Sequence, residues 1–132
     1  MIRLLALDMD GTCLNGRSRM TEETIRTIRK AADAGIIIVP TSGRPLTCLP
    51  YQMTQEKGLY RYTITSNGAQ VVDLEEKKTL FRMLMKRERV VQFLRECEEL
   101  NVVRMTHIQH RYVMEGPLME VAGRIVYGRD VD

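Results

Sequence analysis

The sequence predicts an α/β fold: a Rossmann-like, three-layer core around a parallel sheet, followed by the beginning of a smaller α+β module. Three observations carry this. An apolar run, an amphipathic stretch and a β-branched run follow one another within the first forty residues. Each apolar run stops at turn-forming or polar residues, as strands in an open sheet do. Beyond residue 69 the alternation gives way to hairpin, helix and hairpin.

Ile2 to Leu7 is an apolar run stopped by Asp8-Met9-Asp10-Gly11-Thr12, short enough and marked clearly enough by glycine to be a buried strand. Thr21 is a helix N-cap, with Glu22 and Glu23 at the positive end of the helix dipole. Ile25, Ile28 and Ala32 recur at helical spacing, and Gly35 stands where a helix end takes a left-handed residue. Ile36-Ile37-Ile38-Val39-Pro40 then has the pattern of a parallel strand covered on both faces. Strand, helix and strand make a βαβ unit with a right-handed crossover. Leu46, Leu49 and Met53 place a second helix across 45–57, begun by Pro45 and kinked or delayed by Pro50. Tyr62 to Ser66 is a third strand, ending in Asn67-Gly68.

The second part starts with a hairpin, Gln70–Asp73 against Thr79–Phe81. Arg87 to Leu100 is a helix with Val90, Phe93, Leu94 and Cys97 on one face, and Val102–Ile108 and Arg111–Met114 are two strands turned at Gln109-His110. The expected division is 1–69 for the first half of the core and 70–132 for part of the α+β module.

Composition narrows the function classes. With 20 basic and 17 acidic side chains the net charge is only +3, and no block of like charge exists to bind nucleic acid or an anionic membrane. No apolar stretch is long enough to span a bilayer, and the N-terminal run meets Asp8 and Asp10 before a signal-peptide core forms. Cys13, Cys48 and Cys97 are odd in number and lack metal-site spacing, so they are read as reduced thiols in the cytoplasm. His107 and His110 have no partners spaced for a metal, and most of the nine methionines are read as core filler, with Met83-Leu84-Met85 as the alternative lining of a cleft.

Chemistry is concentrated at the end of the first strand. Asp8 and Asp10 are two apart, so both carboxylates can face one pocket at the sheet edge where α/β proteins bind ligands. Gly11 permits a sharp turn that offers main-chain N–H groups to an anion. Two adjacent carboxylates repel unless a proton or cation intervenes, and Mg²⁺ is the hard cation that suits such oxygens. One carboxylate could then attack phosphorus while the other handles protons. A solvated turn is the plain alternative for an isolated Asp-x-Asp; the preceding strand and the adjoining Gly11-Thr12 favour a site.

Asp8-Met9-Asp10-Gly11-Thr12 resembles the first signature of the haloacid dehalogenase superfamily, the Asp-x-Asp-Gly-Thr phosphatases. Thr41-Ser42-Gly43-Arg44-Pro45 is similar to the second motif of its Cof-type branch, and Ser66-Asn67-Gly68-Ala69 resembles that branch's Asn-Gly-Ala. The resemblance implies a phosphatase acting on small phosphorylated metabolites through an aspartyl-phosphate. Asp8 would be the nucleophile, and Asp10 the acid that protonates the leaving oxygen and then activates water. Mg²⁺ would bind the Asp8 carboxylate and the main-chain carbonyl of Asp10. Ser42, preferred to Thr41, would donate to a phosphoryl oxygen, with Gly43 allowing close approach; capping of the next helix is its structural alternative. Thr12 would brace the loop, Asn67 would line the pocket and Arg44 would be structural. The module from residue 70 would be the start of the branch's α+β cap.

The same family carries a later Lys and an acidic Gly-Asp-x-x-x-Asp motif. The lysines here are Lys30, Lys57, Lys77, Lys78 and Lys86, all at or before the cap, and neither Asp130 nor Asp132 has the acidic setting. The expectation is therefore a fragment or truncated product with low or no activity alone, its first strand left as an edge through which it self-associates. The alternative is a non-catalytic phosphate-binding or self-associating module that keeps the first half of the fold.

Overall fold

In the order of the chain, strand β1 (Leu4–Asp8), helix α1 (Glu22–Asp33), β2 (Ile37–Thr41), a single helical turn at Leu46–Cys48 and β3 (Tyr62–Thr65) come first. They are followed by β4 (Gln70–Asp73), β5 (Lys78–Arg82), helix α2 (Arg87–Glu99), β6 (Arg104–Ile108) and β7 (Arg111–Glu115). This is a computed structural model that describes residues 2–50, 52–53, 58–100, 102–108 and 111–116. The far end of the expected second helix, the turn at Gln109-His110, and Asp130 and Asp132 lie outside the described residues.

The first unit is a five-stranded sheet in the order β1-β2-β3-β4-β5. β1, β2 and β3 are parallel, as the βαβ reading requires, and β4 and β5 are antiparallel additions. The sheet is thus mixed, an incomplete Rossmann-like core carrying a hairpin. The expected boundary at 69/70 differs from the compact unit, which runs through Met83 apart from 45–48. The reason is hydrogen bonding. β4 pairs with β3 in register from Tyr62↔Asp73 to Thr65↔Gln70, so the hairpin extends the core sheet.

Helix α1 forms where its caps dictate. Thr21 Oγ1 accepts the N–H of Thr24 at 3.2 Å, and the C-terminus closes with Gly35 N–H to Ala32 O and Ile36 N–H to Ala31 O. That paired closure needs a left-handed residue, which Gly35 supplies at φ 83°. The core of this unit is Met9, Leu14, Met20, Ile28, Ile38, Val39, Leu49, Met53, Leu59, Tyr60 and Val72. β2 is buried at Ile38, Val39 and Pro40 as its sequence demands, while Ile37 at its start is exposed.

β1 is not. The expectation of a buried first strand fails: Leu4 is 54% exposed, because β1 pairs only with β2 and its other edge is open among the described residues.

In the second unit, α2 buries Cys97 and half-buries Val90 and Leu94, while Phe93 sits on the shoulder of that stripe and stays exposed. Arg104 Nη1 donates to Leu94 O at 3.3 Å, tying β6 to the helix. β6 and β7 are antiparallel; His107 faces Tyr112, edge to face with ring centroids 4.7 Å apart. Burial pushes His107 below its ordinary imidazole value. No helix among the described residues is long and apolar enough to cross a membrane.

Candidate active site

The parallel register brings three loops to one edge of the sheet. β1 runs beside β2 with Leu4↔Ile37 at one end and Asp8↔Thr41 at the other. β2 runs beside β3 through Thr41↔Ile64, and the ladder continues with Ser42 N–H donating to Ile64 O at 3.0 Å. The carboxyl ends of all three strands therefore coincide, and the segments after them are 9–13, 42–44 and 66–68.

The first loop leaves β1 directly after Asp8. Asp8 (ψ 140°) and Asp10 (φ −73°, ψ 118°) have extended backbone, and Met9 between them in the chain is fully buried. Gly11 then turns at φ 77°, and Leu14 N–H closes the loop on Met9 O at 2.9 Å. A side chain at Gly11 would meet open space, so it is the left-handed backbone that calls for glycine there.

The two carboxylates are held differently. Asp8 Oδ2 accepts the Thr12 hydroxyl at 2.7 Å, the loop brace. Asp10 accepts from residues more than thirty positions away: Ser42 Oγ at 3.0 Å, Arg44 Nε at 3.1 and 3.2 Å, and Arg44 Nη2 at 2.7 Å. The Arg44 side chain is only 7% exposed against 45% for Asp10. Its Nη2 also reaches Ser18 Oγ at 2.9 Å, presented by a tight turn in which Asn15 Oδ1 accepts the N–H groups of Arg17 and Arg19. The repulsion between Asp8 and Asp10 is thus relieved on the Asp10 side by an internal guanidinium, in a two-pronged pairing that arginine geometry favours. Arg44 is the residue whose place at the site the sequence did not disclose. Its motif was legible; its reach to Asp10 across 34 positions was not.

Ser42 is 3% exposed and does two things. Its hydroxyl proton goes to Asp10, and its oxygen accepts Arg44 N–H at 3.1 Å, a local turn bond akin to the capping alternative. Thr41 Oγ1 is directed back to Val39 O, at a long 3.4 Å. The second and third loops are laced together by Asn67 N–H to Ser42 O and Ser66 N–H to Arg44 O. Ser66 and Asn67 both have φ above +50°, ahead of Gly68 at 88°. Asn67 Oδ1 lies where a β-carbon on Gly43 would stand, 2.8 Å from it, so glycine at 43 makes room for Asn67.

Cys13 lies near the carboxylates, but burial first and the Asp8 charge second push its thiol above the ordinary value, which keeps it protonated. Among the described residues no group of three or more His, Cys, Asp or Glu side chains is placed to hold a metal. The loop does carry oxygens of the kind Mg²⁺ takes, the carboxylates of Asp8 and Asp10 and the main-chain carbonyls beside them.

The model of a family described as haloacid dehalogenase-like hydrolase matches residues 5–124. A relative in Bacillus subtilis, 5-amino-6-(5-phospho-D-ribitylamino)uracil phosphatase YcsE, is 38% identical over 84 residues, covering 60% of this chain and 33% of its own. The HMP-PP phosphatase of Yersinia pestis (strain Pestoides F) is 36% identical over 75 residues, 57% of this chain and 27% of its own. The solved structure of the HAD subclass IIB sugar phosphatase BT4131 superposes on 95% of this chain with a TM-score of 0.80 at 24% identity, and this chain covers 48% of it. The chain therefore spans about a third of the length of the curated relatives it matches, and at 24% identity the structural likeness speaks for the fold.

Proposed function

The chain belongs to the haloacid dehalogenase-like hydrolases, and on that premise we propose that it carries the nucleophile-bearing part of a Mg²⁺-dependent phosphomonoesterase of the Cof type. Asp8 attacks phosphorus, forming an aspartyl-phosphate as the bond to the leaving oxygen breaks. Asp10 supplies the proton to that oxygen and then takes one from the water that hydrolyses the acyl phosphate, regenerating the Asp8 carboxylate. Ser42 and the main-chain N–H groups after Gly11 bind phosphoryl oxygens, and Thr12 and Arg44 fix the two carboxylates. Bound through Asp8 and the Asp10 carbonyl, Mg²⁺ would offset phosphoryl charge.

One observation carries this reading: Asp8 and Asp10 stand two residues apart at the carboxyl end of a parallel strand, Asp8 braced by Thr12 and Asp10 held by Ser42 and Arg44. The substrate class is supported by the relatives, named for action on a phosphoribitylamino-uracil and on HMP-PP. The three free cysteines fit a cytoplasmic setting. The edge of β1, unpaired among the described residues, suits self-association, and neither nucleic acid nor a membrane is a partner in this reading.

The test is phosphate release from an aryl phosphate with Mg²⁺, by this chain and by Asp8→Asn. A faster wild type is expected, at low absolute rate; equal rates defeat catalysis by this chain. The triple grip on Asp10 favours a second reading, a non-catalytic phosphate-binding module. Mg²⁺-dependent phosphate binding without turnover would select it.

A further inference from the structure

We propose that the Ser42 hydroxyl is a latch on Asp10, opened when a phosphoryl oxygen takes over its hydrogen bond, so that ligand arrival and release of Asp10 Oδ2 are one event. The proposal rests on the hydrolase reading and adds to it a way for the substrate to ready the acid.

A serine hydroxyl carries a single proton and can donate one hydrogen bond. In this structure that bond goes to Asp10 Oδ2 at 3.0 Å, while the serine oxygen accepts Arg44 N–H at 3.1 Å. Ser42 is 3% exposed and the Asp10 side chain 45%, so the carboxylate is the member of the pair that solvent reaches. A phosphoryl oxygen that accepts from Ser42 must therefore displace Asp10 Oδ2.

The other holds on Asp10 are unequal, and the inequality gives the displacement a direction. Arg44 Nη2 stands 2.7 Å from Oδ1, and Nε spans both oxygens at 3.1 and 3.2 Å. Removing the Ser42 bond leaves Oδ1 with the shortest contact and Oδ2 with only the longest. Ser18 Oγ steadies Nη2 from another direction at 2.9 Å, so the guanidinium keeps its place as Oδ2 lets go. Arg44 is then a positioning residue: it anchors Oδ1 while Oδ2 turns to the ligand. Without ligand both oxygens are engaged and Asp10 is withheld.

The test is an NMR titration of the chain with inorganic phosphate in the presence of Mg²⁺. It follows the Asp10 carboxyl carbon, assigned against Asp10→Asn, and the Arg44 Nε–H. Saturable movement of both signals is expected. Ser42→Ala should show the Asp10 signal already moved in the same direction without phosphate, and phosphate affinity reduced about tenfold. The titration of the unaltered chain stands even if that variant does not fold. Phosphate that binds without moving Asp10 and Arg44, or that does not bind at all, overturns the latch. Failure of the hydrolase reading looks different: equal phosphate release by wild type and Asp8→Asn, with the NMR response intact.

Discussion

Two aspartate–arginine pairs sit at opposite ends of the first sheet, and their burial is reversed. At the carboxyl ends of the parallel strands the arginine is buried, with Arg44 7% exposed and Asp10 45%. At the other end of β3 the aspartate is buried: Asp73 is 3% exposed and Arg61 45%, with Nε to Oδ2 at 3.0 Å. Asp73 uses its second oxygen to accept the N–H groups of Glu75 and Glu76, both at 3.0 Å, which shapes the turn into β5. A buried cation presents an anion to solvent; an exposed cation covers an anion that the fold itself uses. The same two residue types leave an anion open to solvent at one end and build a turn at the other.

The largest effect separates these roles by activity. Asp10→Asn should lower phosphate release by about 10²–10⁴-fold, the usual contribution of a positioned acid or base. Asp73→Asn should leave the rate of the folded fraction unchanged and lower the melting temperature instead. Reversed outcomes in paired kinetic and thermal assays would break the comparison.

Next is stability. Arg44→Ala removes a buried side chain and charge-assisted hydrogen bonds, and Asp10 is half-solvated already, so a loss of about 2 kcal/mol in urea unfolding is expected. Arg61→Ala, at a solvent-screened pair, should move the urea midpoint much less.

The third effect is a pH dependence. The main-chain N–H of Glu76 first, with help from Arg61, holds the Asp73 carboxyl below its ordinary value of 3.8 although burial opposes this. A depressed carboxylate adds stability that is fully present above the unfolded value and lost as pH falls through the folded one. The wild type should therefore lose stability below about pH 3.8, and Asp73→Asn should flatten that limb of a pH-melting series.

The smallest effect is at Gly43. Alanine there pushes against Asn67 Oδ1, the end of an exposed side chain that can swing aside, for a cost under about 1 kcal/mol. Phosphate affinity should fall a few-fold, and adding Asn67→Ala should recover it in a double-mutant cycle read by calorimetry.

Much of this was legible in the sequence because the signals were local. Thr21 and Gly35 delimit α1, the β-branched run sets β2, and Asp8 to Thr12 announce the loop by composition alone. Asn67 before glycine is a familiar left-handed pair, whereas nothing marked Ser66 for the same conformation. What escaped depends on residues far apart meeting. Arg44 reaches Asp10 only because β1 and β2 align Asp8 with Thr41, and that register is a property of the sheet. The apolar run of β1 described the burial its residues favour, while its exposure is decided by what lies beside it.

Met9 brings no polar side-chain atom to the loop, yet it is completely buried and stands between Asp8 and Asp10 in the chain. The placing of the two carboxylates therefore depends on hydrocarbon packing, and the electrostatics of the edge inherit the tolerance of the core. A disturbance that loosens the interior, whether heat, denaturant or a cavity under the loop, becomes a disturbance of where two negative charges stand. The site's first point of failure is mechanical.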